Sequence, residues 1–136
     1  MHENKEPQGS KAIKESAIHE VGIAESIMQI TRQVAEQNNM IKVTSLLVEI
    51  GQFSGVEPHA LEFAWEFVSK GTVAEGSTLE IERPPLVLFC MHCLLEYPGD
   101  MEDLRCPNCK DEVFEIRKGR EMLVRSISGD KKTEKE

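Results

Sequence analysis

Four cysteines constrain this chain more than anything else in it. They read Cys90-Met91-His92-Cys93, then twelve residues, then Cys106-Pro107-Asn108-Cys109. Two residues between cysteines let both thiolates reach one ion while backbone N–H groups turn toward the sulfurs. Two such knuckles supply four ligands and close a tetrahedral shell. The spacer is a little shorter than the most typical range, yet long enough for a strand and a return. Soft thiolates in a tetrahedron favour zinc, with iron the main competitor. A closed shell leaves no position for water, so the expected metal is structural, holding together a segment with little core of its own. A thioredoxin-like use of either pair is disfavoured, because one CxxC would suffice and no βαβ pattern surrounds them. His92 lies inside the first knuckle. The plain reading makes it an exposed tip residue; the sharper one makes it a ligand that replaces a cysteine as pH or metal load changes.

The rest of the chain limits its context. It has 136 residues, enough for one modest core and a small satellite. Its net charge of -8 makes it a poor partner for a phosphate backbone. No apolar run is long enough to cross a bilayer, and residues 1–17 carry no apolar stretch of a secretory signal. The expected location is therefore the cytoplasm, where paired cysteines hold metal more often than they form disulfides.

Periodicity predicts an α+β fold. Residues 1–17 read as a flexible extension. From Val21, the spacing of Ile23, Ile27, Ile30 and Val34 puts them on one helical stripe, which Asn38 and Asn39 end. Residues 42–50 alternate as a strand with Leu46, Val48 and Ile50 on the buried face. Pro58 suits the first turn of a second helix, whose apolar face is Leu61, Ala64, Trp65 and Val68, widened by Phe63 and Phe67. Residues 78–82 alternate again. Short strand candidates at 86–89 and 113–116 flank the cysteines, and residues 122–127 read as a last strand. The predicted organisation is an α+β domain at 18–83 plus 120–128, a zinc-ribbon module at 84–119 and a disordered tail at 129–136.

Two His-Glu pairs occur early, Met1-His2-Glu3 and Ile18-His19-Glu20. Ni(II) with nitrogen donors favours square-planar or tetragonal sites. His2 can combine the terminal amine, its own amide nitrogen and its imidazole, with Glu3 adding oxygen. His19 offers an imidazole with Glu20 beside it. His59, on the second helix, reads as an ordinary surface residue.

At this point the chain resembles the HypA/HybF family of hydrogenase maturation nickel chaperones. The segments that carry the resemblance are IHEVGIAESI, VEIGQFSGVEPHALEFAWE, GTVAEGSTLEIE, the CMHC and CPNC knuckles and GREMLVRSI, in the family's order. The resemblance implies two helices on a three-stranded sheet, with a zinc ribbon inserted before the last strand. It implies reversible Ni(II) binding, work with the maturation GTPase HypB, and docking on the large subunit of NiFe hydrogenase, with urease served by some members. A homodimer is compatible with it. Members of the family begin Met-His-Glu and bind nickel through the terminal amine and that histidine. Here the aligned segment is Ile18-His19-Glu20, behind seventeen further residues that themselves begin Met1-His2-Glu3. Alignment favours His19 and coordination chemistry favours His2. A third possibility is a later start, although no Met closely precedes His19.

Other classes fare worse on the residues. A nucleic-acid-binding ribbon would need basic and aromatic surface that this acidic chain lacks. A rubredoxin-like electron carrier would need iron in the sulfur cage. An enzyme would need a nucleophile–base pair, a phosphate-binding glycine loop or an open metal position, and none is evident.

Overall fold

The computed structural model describes residues 20–132 and the backbone of residues 11–12. In chain order the elements are β1 (Lys11–Ala12), α1 (Glu20–Gln37), β2 (Met40–Ile50), α2 (Pro58–Val68), β3 (Thr78–Glu82), β4 (Val87–Cys90), β5 (Leu95–Pro98), β6 (Phe114–Lys118) and β7 (Met122–Lys131). They form two sheets, one ordered β1-β7-β2-β3 and one ordered β5-β4-β6. The larger is the expected three-stranded sheet under two helices, with β1 added at its edge. The smaller is the inserted ribbon.

The α+β region is built on β2. Val43, Leu46, Val48 and Ile50 are buried on the face that meets the helices. On one side β2 pairs antiparallel with β7, and on the other parallel with β3. The connection β2–α2–β3 is thus a parallel crossover. It lies upstream of the cysteines, which sit in a wholly antiparallel module.

Helix α1 packs through a face shifted from the stripe that the periodicity suggests, and α2 through a narrower one. In α1 the buried set is Ile23, Ala24, Ile27, Met28, Thr31 and Ala35, while Ile30 is only partly buried. Burying Thr31 is cheap because its hydroxyl donates to the Ile27 carbonyl at 2.7 Å. In α2, Leu61, Ala64 and Trp65 are buried as expected. Phe63 and Phe67 are not part of that face: they are 75% and 70% exposed. A helix on a sheet has only one side covered, and these two project from the other. Helix α2 starts cleanly. Pro58 occupies the first turn, and Glu57 accepts the Ala60 N–H at 2.8 Å as its cap. Trp65 fills the centre and donates its indole N–H to Ser77 Oγ at 2.9 Å.

Two terminal expectations need correcting. Residues 129–131 were expected in a disordered tail, but β7 continues through them, pairing Gly129 with Val43, Asp130 with Lys42 and Lys131 with Met40. Gly129 makes this possible, because a Cβ there would collide with the Lys42 carbonyl. Residues 11–12 were expected in a flexible extension, but their backbone pairs with Val124 and Leu123 of β7. Backbone ladders form without a distinctive side-chain pattern, so neither short pairing left a signal in the periodicity.

The two regions join through close backbone contacts. Gly51 N–H donates to the Glu121 carbonyl at 2.8 Å, and Phe53 N–H to that of Gly119. Arg83 donates from Nε to the Ile50 carbonyl at 2.9 Å and from Nη2 to that of Gly51 at 3.1 Å. Gly51 and Gly119 approach too closely for a side chain on Gly51. Phe53 reaches across to pack on the ribbon's cluster.

Candidate metal centre

Strand β4 ends on Cys90, and the chain turns at once into the first knuckle. Leu94 N–H returns to the Cys90 carbonyl at 2.8 Å. The second knuckle repeats this, with Lys110 N–H donating to the Cys106 carbonyl at 2.9 Å. Leu94 and Lys110, each following the second cysteine of its pair, have φ of 60° and 66°. Two loops of the same shape therefore face each other. Neither carries the glycine that suits a left-handed position.

The loops bring all four sulfurs together, with ligand atoms within 4.8 Å of one another. Cys90 and Cys109 Sγ are 3.6 Å apart, and Cys93 and Cys106 Sγ 4.0 Å. Four thiolates at about 2.3 Å from a tetrahedral zinc would stand about 3.8 Å apart. Those two pairs bracket that value, so the arrangement suits such an ion. Among the described residues this is the only set of three or more potential ligands so close.

Donors are aimed at the sulfurs, as anionic thiolates require. Cys93 N–H donates to Cys90 Sγ at 3.3 Å, and Asn108 N–H to Cys106 Sγ at 3.4 Å. Asn108 also sends its side-chain amide across to Cys93 Sγ at 3.3 Å. The backbone N–H of Cys109, helped by that of Asn108, pulls the Cys106 thiol down to about 7. At Cys109 the backbone N–H of Asp111 works in the same direction. Burial and the three neighbouring sulfurs outweigh it and push that thiol up to about 12. Four negative sulfurs this close are mutually repulsive, and a dication in their midst removes the conflict. Tyr97 is buried in the same cluster as Cys90 and Cys106 and donates to the Leu104 carbonyl at 2.6 Å. Burial raises its phenol above the usual value, with the Cys106 sulfur adding to the effect.

His92 is exposed at the tip of the first knuckle, outside the four-sulfur cluster. His59 is exposed on α2, with Nδ1 3.7 Å from Glu62 Oε1. His2, Glu3 and His19 lie outside the described residues. Glu20 heads α1, and its Oε2 accepts the Glu57 N–H at 3.0 Å, tying the start of α1 to the cap of α2. Asn108 and Tyr97 were not singled out by sequence reasoning. The asparagine inside a CPNC knuckle was the available signal. Tyr97 was hidden because strand β5 alternates too briefly to read.

A family model described as hydrogenase/urease nickel incorporation, metallochaperone, HypA matches residues 18–129. The chain belongs to the HypA family. Among curated relatives, the hydrogenase maturation factor HypA of Albidiferax ferrireducens is 36% identical over 110 residues, covering 81% of this chain and 97% of the relative. That of Aquifex aeolicus is 36% identical, with coverages of 81% and 96%. HybF of Escherichia coli is 34% identical, covering 81% and 97%. The solution structure of the Ni metallochaperone HypA from Helicobacter pylori superposes with a TM-score of 0.61 at 22% identity, covering 84% of this chain and 99% of that one. The family is thus one of maturation factors that act in nickel incorporation, and the fold is shared with its solved members. Among the described residues no helix is long and apolar enough to cross a membrane.

Proposed function

We propose that this chain carries Ni(II) as cargo and delivers it during maturation of a nickel enzyme, while zinc stays in the four-thiolate centre. One observation carries the reading: the family match runs from residue 18 to 129 and so includes His19, Glu20 and all four cysteines. The division of labour follows from ligand chemistry. Cys90, Cys93, Cys106 and Cys109 would hold zinc with no open position, which suits retention. Nitrogen ligands at His2 or His19, with Glu3 or Glu20 beside them, suit Ni(II) and allow exchange. A sulfur-rich acceptor such as the large subunit of NiFe hydrogenase would then draw the metal away. HypB is the expected partner in loading or release, and urease a second acceptor.

Glu20 adds a structural consequence. Its carboxylate already accepts the Glu57 N–H, so nickel taken there would share the group that tethers α2. Protonating the histidine ligand would weaken nickel binding, so delivery should fail as pH falls through the imidazole range.

The test is metal stoichiometry by calorimetry and elemental analysis. The full chain should bind one zinc and one nickel. His2→Ala with His19→Ala should abolish nickel uptake and leave zinc at one. The single variants of the full chain decide between the two histidines: nickel lost in His19→Ala but kept in His2→Ala assigns His19, and the reverse assigns His2. Nickel seated among the four sulfurs, or retained by the double variant, would overturn the proposal.

A further inference from the structure

The three-stranded ribbon has two ends. At one, Leu86, Gly99 and Gly119 pack together, and Phe53 of the α+β region meets Gly119. At the other, Leu95, Cys90 and Phe114 form the last row of the sheet. Met91, Leu94 and Val113 lie just beyond it, with Met91 N–H bonded to the Val113 carbonyl at 2.9 Å. Met91, Leu94, Leu95 and Val113 are 49%, 65%, 56% and 55% exposed. Four large apolar side chains therefore crown the free end of a module that has few to bury.

Leu94 shows that this is not surplus surface. It occupies a left-handed conformation, with φ of 60°. Glycine would make the same turn without strain. The matching position of the second knuckle holds Lys110, so the turn does not call for an apolar residue. A branched hydrophobe held in a strained conformation and pointed at water is costly twice over. A partner that covers it removes the second cost.

Charge identifies the kind of partner. The next row down the sheet is Glu96, Phe89 and Glu115, and both glutamates are exposed. Asp111 and Glu112 lead into Val113 and are exposed too. Against these four carboxylates stand Lys110 and Arg117, and Arg117 is already engaged with Glu115 at 3.0 Å and with the Phe89 ring at 4.0 Å. The apolar tip has an acidic rim. A second copy would bring two acidic rims face to face, in a chain whose net charge is -8.

We propose that the distal tip of the ribbon, formed by Met91, Leu94, Leu95 and Val113, is a docking surface for a partner protein that presents apolar side chains ringed by Lys and Arg. Docking there places the partner over the first knuckle, beside half-buried Cys93. The inference does not depend on nickel, and its test leaves nickel binding untouched.

Two synthetic amphipathic helical peptides with the same leucine face serve as probes, one with a lysine rim and one with a glutamate rim. Each is titrated into the isotope-labelled, zinc-loaded full chain and followed by amide chemical shifts. The lysine peptide should saturate, with the largest shifts at residues 91, 94, 95 and 113. The glutamate peptide should bind at least tenfold more weakly. Leu94→Gly with Leu95→Ser should weaken the lysine peptide tenfold or more while keeping one zinc per chain. If that variant loses zinc, Met91→Ser alone is read in the same titration and should weaken binding at least threefold. Shifts centred on Phe63 and Phe67, equal binding of both peptides, or unaltered affinity in the variants would overturn the proposal. So would a dimer seen by sedimentation without peptide and lost in the variant, which would assign the tip to self-association.

Discussion

The α+β region and the ribbon order their chain by different means, and the ribbon is about half as long. The first has sixteen buried residues in one cluster, from Ile23 to Val124, with Trp65 among the largest fully buried. The second has five, and two of them are Cys90 and Cys106. Leu86, Leu88 and Tyr97 cannot offset the entropy of ordering residues 84–119. A metal held by the four cysteines would supply what the side chains lack. One region is therefore specified by its apolar pattern and the other by four atoms of sulfur.

The strongest way to break this contrast is to remove the metal. Stripping zinc with a chelator, or replacing Cys109 by Ala, should unfold the ribbon and leave the α+β region standing. The binding energy of a structural zinc, about 10–16 kcal/mol, is folding energy for such a module. Amide hydrogen exchange would show it: residues 86–118 should lose protection while residues 23–50 and 61–79 keep theirs. Joint loss of protection in both regions would mean that the junction at Gly51, Phe53 and Gly119 couples them more tightly than the separate clusters imply.

The reciprocal experiment acts on the other region. Trp65→Ala empties the centre of the larger core and breaks the hydrogen bond to Ser77. It should cost about 3–5 kcal/mol in denaturant unfolding. Zinc stoichiometry should stay at one, because Trp65 and the four cysteines belong to separate clusters. A variant that lost both would erase the distinction drawn here.

The same contrast explains what the sequence could reveal. The ribbon announced itself through four residue positions, since metal ligation needs particular atoms at particular spacing. The helices and β2 were legible through Ile23, Ile27, Leu46, Val48 and Trp65, because burial imposes a period. What escaped notice were features that burial does not write into residue type. Phe63 and Phe67 fit an apolar helix face yet point outward. Thr31 is polar yet buried, because its hydroxyl finds the Ile27 carbonyl. Strand β5 is four residues long with only Tyr97 buried. The continuation of β7 through Gly129 depends on a close backbone approach, which a glycine permits without advertising. The nickel ligands expected at His2, Glu3 and His19 belong to a segment outside the described residues, and only the Glu20 anchor can be placed.

A finer test asks how much strain the knuckles carry for the metal's sake. Lys110 is exposed and left-handed, with φ of 66°. Lys110→Gly relieves that strain but gives the unfolded chain more freedom. The balance should favour the folded ribbon by no more than about 1 kcal/mol. It should appear as a modestly higher chelator concentration at half-removal of zinc, with no change in denaturant unfolding of the α+β region. A shift in the latter would show that knuckle geometry is transmitted through the junction.

The smallest expected effect concerns the spacer between the knuckles. Asp103 accepts from Arg105 Nε at 2.9 Å and from Nη2 at 3.1 Å, and also from the Arg105 backbone N–H. These bonds to Arg105 lower its carboxyl from 3.8 to about 2. The sign follows directly: a carboxyl whose folded value is depressed lends its stability above pH 3.8 and loses it as pH falls through about 2. Both side chains are about half exposed, so solvent screens the pair and little stability rides on it. Arg105→Ala should therefore return the Asp103 titration, followed by carboxyl carbon shifts, toward 3.8 without measurably changing zinc retention at neutral pH. A marked loss of zinc in that variant would show that the spacer's own ion pair helps shape the sulfur cage, and would move part of the ribbon's specification from its ligands to the loop between them.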